Sequence, residues 1–197
     1  MRSYELLFIV RPGLDEEATA TLMERLQNAV RDNGGKILRI ESVGRRKLAY
    51  PISKETEGHY TILQAEMDQT VIRQVERLIT LSEDVIRHLL VRMDDEDTEP
   101  EAEERDRSSD DRRGEGGRRR FNRSRNVCRM CADGVEQVDY KDINTLRHYV
   151  SDHGRILPRR RSKTCARHQR MVSVAVKRAR QVALLPYSAV HVREDGS

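Results

Sequence analysis

The chain has 197 residues, 37% hydrophobic and 36% charged, with three cysteines, no tryptophan and a formal net charge of +4. That composition allows one domain or two small ones; with no 18-residue apolar run and no secretory leader, it points to a soluble, cytoplasmic protein without a membrane partner. The charge is unevenly spread. Residues 1–93 sum to 0, residues 94–117 to −8 and residues 118–197 to +12, so a neutral domain, an acidic tether and a basic domain are expected in that order.

Tyr4 to Val10 is rich in β-formers and stops at Pro12-Gly13, which predicts a first strand. Asp15 to Asn33 repeats apolar residues at helical spacing (Ala18, Leu22, Leu26, Ala29, Val30) and closes on Gly34-Gly35. A second strand starts near Lys36 and continues past Gly44 towards Tyr50 and Ile52. A third follows Gly58, from His59 to Met67. Val71, Val75, Leu78 and Ile79 mark a second helix, and Val85 to Met93 a fourth strand. The order β-α-β-β-α-β predicts an α+β, ferredoxin-like plait over residues 1–93, a four-stranded antiparallel sheet with both helices on one face.

Several of these strands are apolar on both faces, Leu6 and Phe8 on one and Leu7 and Ile9 on the other. The face without helices is therefore expected to meet a protein partner. An RNA platform built on stacked aromatics would need exposed rings on the central strands, and Phe8 and Tyr60 are too few. Arg45, Arg46 and Lys47, in the run from Gly44 to Pro51, are a cationic cluster on a hairpin rim, either simply solvated or directed at a polyanion.

Residues 94–122 carry almost no apolar side chain and are expected to be a disordered charged linker, since such a segment cannot bury enough surface to fold. From Asp94 to Ser124 its rms span is about 30 Å, which holds two small domains at an effective concentration on the order of mM. The acidic run is either a solubilising spacer or a shield lying against the basic domain. Arg118 to Arg125 then turns abruptly basic.

Residues 123–187 form the second unit, with a flexible tail at 188–197. The three cysteines and one histidine fall as Cys128-x2-Cys131 and Cys165-x2-His168. Thiolate and imidazole pairs two residues apart are what a tetrahedral zinc ion selects. With four ligand positions filled, no place remains for a reactive water, which favours structural zinc over a zinc enzyme. Reduced thiols that merely pack, and a redox dithiol, are the other readings.

The segment from Cys165 reads as a helix, with Thr164 as candidate N-cap and Pro186 as the stop. Met171, Val172, Ala175, Val176, Ala179, Val182 and Ala183 share one arc with Cys165 and His168. Arg167, Arg170, Lys177, Arg178 and Arg180 occupy the opposite arc, preceded by Arg159, Arg160, Arg161 and Lys163. Between Lys163 and His191 there is no Asp or Glu to pair with these cations. Lys141 and Arg147 flank a shorter helix, expected over about Ile143 to Asp152. A ridge of cations without intervening acids suits a polyanion, and nucleic-acid binding is the expectation. No Gly-rich phosphate loop, nucleophile–base pair or acidic pair suggests catalysis.

Two resemblances are carried by particular residues. Residues 1–93 resemble bacterial small-subunit ribosomal protein six through Tyr4-Glu5, Gly44-Arg45-Arg46-Lys47-Leu48-Ala49-Tyr50-Pro51-Ile52, Gly58-His59-Tyr60 and the stretch Glu83 to Leu89. Val43 stands where that family has Trp, and Ala65 where Phe is frequent. Residues 123–187 resemble bacterial small-subunit ribosomal protein eighteen, in its zinc-retaining version. The matching stretches run from Val138 to Ile143, Gly154 to Arg160, Ala175 to Arg180 and Leu184 to Tyr187. The family's Thr-Gly after the arginine run is Ser162-Lys163 here.

The resemblance implies a natural fusion of two partners that bind each other and contact the central domain of small-subunit rRNA on the platform, beside other ribosomal proteins. It also implies that the open sheet face or an edge meets the second unit. The alternative class is a zinc-containing nucleic-acid-binding regulator acting off the ribosome.

Overall fold

The computed structural model describes residues 1–93 and 128–188. The expected linker at 94–122, the basic run Arg118 to Arg125 and the tail beyond Ser188 lie outside the described residues.

Strands β1 (Arg2–Val10), β2 (Lys36–Ile52), β3 (Glu55–Met67) and β4 (Val85–Arg92) form one antiparallel sheet in the order β2-β3-β1-β4. Helices α1 (Glu16–Asp32) and α2 (Gln69–Leu81) follow β1 and β3, as the plait predicts. Alternation along the strands splits their apolar residues into two cores. Leu6, Phe8, Val10, Leu63, Ala65 and Met67 meet the helical stripes Leu22-Leu26-Val30 and Val71-Val75-Ile79.

The other face is also dry. Leu7, Ile9, Leu48, Ile52, Tyr60, Ile62 and Val91 share a single core with residues from the second half of the chain, chiefly Leu146, Val172, Ala175, Val176, Ala179, Val182 and Leu185. The apolar residues of this face thus belong to one cluster with residues of the second half. Each aliphatic side chain fully removed from water there contributes about 1.5–3 kcal/mol.

That second half is short helices wrapped around one long one: α3 (Arg129–Ala132), α4 (Ile143–Arg147), α5 (Arg159–Ser162) and α6 (Ala166–Gln181). Three helix ends differ from the sequence expectation. Helix α4 spans only Ile143–Arg147, capped by the Asp142 carboxylate accepting from the Thr145 amide at 3.2 Å, and stops well short of Asp152. The N-cap of α6 is Cys165, not Thr164; its sulfur accepts from the His168 amide at 3.4 Å. Thr164 is buried instead, with its hydroxyl on Gln169 at 2.5 Å.

At its other end, α6 stops at Gln181, five residues before Pro186. The Leu184 and Ala183 amides turn back to the Ala179 and Arg180 carbonyls at 2.9 and 3.1 Å, and Ala183 adopts φ 51°. This is a left-handed helix terminus with alanine where glycine is usual, so the stop signal was absent from the sequence.

Lys163, after the single turn of α5, also lies in the left-handed region, at φ 54°, and is exposed. A β-carbon is disfavoured there. Lys163→Gly is expected to stabilise the fold by about 1 kcal/mol, read as a raised thermal midpoint. An unchanged or lowered midpoint would show that Lys163 makes contacts that outweigh its backbone strain.

Candidate metal centre and nucleic-acid interface

The Cys128-x2-Cys131 turn is closed by the Ala132 amide bonding the Cys128 carbonyl at 3.0 Å, and by Gly134 at φ 64°. It faces the start of α6, where Cys165 and His168 lie on one turn. The three sulfurs and an imidazole nitrogen all lie within 4.8 Å of one another. His168 Nδ1 is 3.5, 3.3 and 3.2 Å from the sulfurs of Cys128, Cys131 and Cys165, and the sulfurs of Cys131 and Cys165 are 3.8 Å apart. A tetrahedron with Zn–S of about 2.3 Å and Zn–N of about 2.0 Å has edges of about 3.5–3.8 Å. The cluster fits that ion.

The ring is also oriented for a ligand role. His168 Nε2 faces the Val135 carbonyl at 2.7 Å, which fixes its proton there and leaves Nδ1 as a lone pair aimed at the sulfurs. Electrostatics divide the four groups. Burial raises the Cys128 thiol, but amides of Cys165 and Cys131 and the neighbouring side chains outweigh it, lowering it to about 6. The Cys165 thiol is lowered, chiefly by the His168 amide. Cys131 is pushed up to about 11 by desolvation and by the sulfurs beside it. Burial pulls the His168 imidazole down, yet the Val135 carbonyl and adjacent thiols leave it raised. Three thiolates this close repel one another unless a cation sits among them.

Where the two halves meet, the polar contacts are few and fully directed. Glu5 is 4% exposed on the face otherwise lined by Leu7 and Ile9. Its carboxylate accepts from Tyr140 Oη at 2.7 Å, Lys141 Nζ at 2.8 Å and Gln64 Nε2 at 3.0 Å. Burial raises this carboxyl, but the lysine, tyrosine and amide donors outweigh it and hold it below the ordinary value. Burial and the Glu5 carboxylate push the Tyr140 phenol strongly up. At the far end, donors from the sheet reach the last carbonyls of α6. Tyr50 Oη bonds the Arg180 carbonyl at 2.7 Å, Tyr60 Oη that of Val182 at 2.8 Å, and the Ala49 amide that of Ala183 at 2.7 Å.

The cations singled out from the sequence separate into two groups. Arg147, Arg159, Arg160, Arg161, Lys163, Arg167, Arg170 and Lys177 are exposed, and Arg178 is half-buried. The others do structural work. The Lys141 ammonium sits between Glu5 and, at 3.5 Å, Asp139. Arg180 donates to the carbonyls of Pro186 and Gly154 and lies over the Tyr187 ring at 5.7 Å. Gly154, at φ 73°, allows this: a β-carbon there would fall 2.7 Å from the Tyr187 carbonyl oxygen. Arg45 pairs with Glu57 at 2.6 Å, while Arg46 and Lys47 are exposed on β2.

Glu5, Tyr50 and Tyr60 were not singled out for a joining role from sequence. An acid in a strand apolar on both faces was the one available signal.

A neutral plait seated against a cationic Cys3His helical unit finds its counterpart among proteins of the small ribosomal subunit. Residues 3–92 match the family model described as ribosomal protein S6, and residues 134–185 that described as ribosomal protein S18, which begins just after Cys131. A bS18B protein of Roseiflexus sp. is 56% identical over 82 residues, covering 42% of this chain and 91% of its own length. A bS6 protein of Exiguobacterium sp. is 44% identical over 89 residues, covering 45% of this chain and 94% of its own. The crystal structure of 30S ribosomal protein S6 from Thermotoga maritima aligns at 34% identity over 46% of this chain and 86% of that one, with a TM-score of 0.45. The chain therefore belongs to both families, its first part to ribosomal protein S6 and its last to ribosomal protein S18, fused in that order. Among the described residues, no helix is long and apolar enough to cross a membrane.

Proposed function

We propose that the chain is a structural constituent of the small subunit that binds the central domain of its rRNA, the platform, as a tethered pair of docked domains. The observation that carries this reading is the band of exposed cations on α5 and α6, with no acid between Lys163 and His191. Folded RNA is recognised by shape and phosphate contacts, which suits arginine forks. Arg159, Arg160, Arg161, Lys163, Arg167, Arg170 and Lys177 are the side chains best exposed for that role, with Arg147, Arg178, Arg46 and Lys47 flanking. Lys141, Arg180 and Arg45 support the scaffold behind them. Cys128, Cys131, Cys165 and His168 would hold a structural zinc ion, which supplies folding energy by cross-linking α3 to α6 in a domain too small for a large core.

The test is binding of the whole protein to a central-domain rRNA fragment across a salt series. Tight binding with log K falling linearly in log salt is expected. Each of Arg160→Ala and Arg167→Ala should reduce the slope by about 0.7–0.9, the value of one phosphate contact. Indifference to the fragment at low salt, or sedimentation free of small subunits, would favour a regulator acting elsewhere.

A further inference from the structure

A groove of about 480 Å³ runs between the end of β4 and α6, with Met93, Tyr140, Arg170, Met171, Val174 and Arg178 in its lining. Met93 and Val174 are 44% and 45% exposed, so its floor is apolar and open. Arg170 and Arg178 stand eight residues apart on α6, about 12 Å along the axis at 1.5 Å per residue. The acids in the lining, Glu5 and Asp139, are already turned to Lys141. The groove's free charge is positive.

The chain leaves the sheet inside this groove, the Met93 amide still bonding the Ser3 carbonyl at 2.8 Å. The eleven residues that follow, Asp94 to Glu104, contain eight carboxylates and no base. An extended chain advances about 3.3 Å per residue, so carboxylates three or four apart span the two arginines. Asp94 with Asp97, or Asp95 with Glu99, has that spacing.

We infer that the acidic run beginning at Asp94 docks in this groove with its carboxylates on Arg170 and Arg178, taking the seat of RNA phosphate. The inference rests on the reading of those arginines as RNA-directed. Linkage through Met93 places the run beside the groove at an effective concentration on the order of mM or more, whereas non-cognate RNA must arrive from solution. Cognate rRNA, with contacts along the whole band, displaces the run; short or unstructured RNA does not.

The experiment uses the full chain with Asp94→Asn, Asp95→Asn, Glu96→Gln and Asp97→Asn together. A second variant carries Glu101→Gln, Glu103→Gln and Glu104→Gln. At low ionic strength the first should bind a uridine 20-mer about five-fold more tightly than wild type, as expected for the loss of two exposed ion pairs. The second should change little, and adding Arg170→Gln and Arg178→Gln to the first should abolish the gain. Equal gains from both variants would mean long-range charge alone and overturn the proposal, as would no gain while wild type binds the oligomer. A readout without RNA keeps the two ideas apart: in the arginine Nε–H NMR spectrum, the first variant should shift Arg170 and Arg178 but not Arg147. Unmoved signals overturn the docking; shifted signals with no RNA binding by any form overturn only the functional reading.

Discussion

Cys165→Ser is expected to unfold residues 128–187 while leaving the plait's helical side intact. Serine is itself a good N-cap, so the start of α6 keeps a side-chain acceptor, and the loss is confined to the metal ligand. A structural zinc of this ligand type is worth on the order of 10 kcal/mol apparent, far more than a unit of this size draws from its own core. The far-ultraviolet circular dichroism of wild type should fall on chelation to the level of the Cys165→Ser protein, and recover when zinc is returned to wild type only. A spectrum indifferent to chelator would remove zinc from the account and leave four side chains that merely pack.

Glu5→Ala should undo the seating of one half upon the other. It leaves the Lys141 ammonium, whose side chain is 32% exposed, with Asp139 alone at 3.5 Å, and the buried Tyr140 hydroxyl without its acceptor. Because Asp139 and solvent still serve the ammonium, the loss is chiefly the unmet Tyr140 hydroxyl, about 1–3 kcal/mol. The effect is cleanest after proteolytic cutting within 94–122: wild-type halves should stay associated in a concentration-dependent manner, and Glu5→Ala halves should separate. Wild-type halves that never associate would refute the docking itself.

Acid should act through the same carboxylate. Because its folded value lies below its ordinary 4.5, its contribution is complete above the unfolded value and is lost as pH falls through the folded one. Dissociation of the cut halves below about pH 4.5 should therefore be steeper in wild type than in Glu5→Gln, which has no proton to gain.

Much of this was legible in the chain because it is written at short range. The plait follows from period-two and period-3.6 apolar spacing, and strand and helix ends fall within a few residues of expectation. The four candidate ligands were visible because two tight turns fix them locally, whatever the surrounding fold. What was not legible depends on contacts between distant segments. Glu5 looks like a stray acid until Tyr140 and Lys141 arrive from the other half. Lys141 and Arg180 looked like members of one basic surface, since a wheel shows a side chain's direction but not the carboxylate or carbonyl waiting there. The end of α6 was placed late because alanine, not glycine, takes the left-handed position at 183.

The donors at Ala49, Tyr50 and Tyr60 also bear on synthesis. The carbonyls of Arg180, Val182 and Ala183 lie at the foot of the last helix and accept from residues made more than a hundred positions earlier, Arg180 in addition to its local bond from the Ala183 amide. During translation the receiving surface is finished before that helix leaves the exit tunnel, so its trailing end can be capped on emergence instead of searching for a separate molecule. Encoding the halves in the opposite order would leave the helix foot waiting in water for its donors.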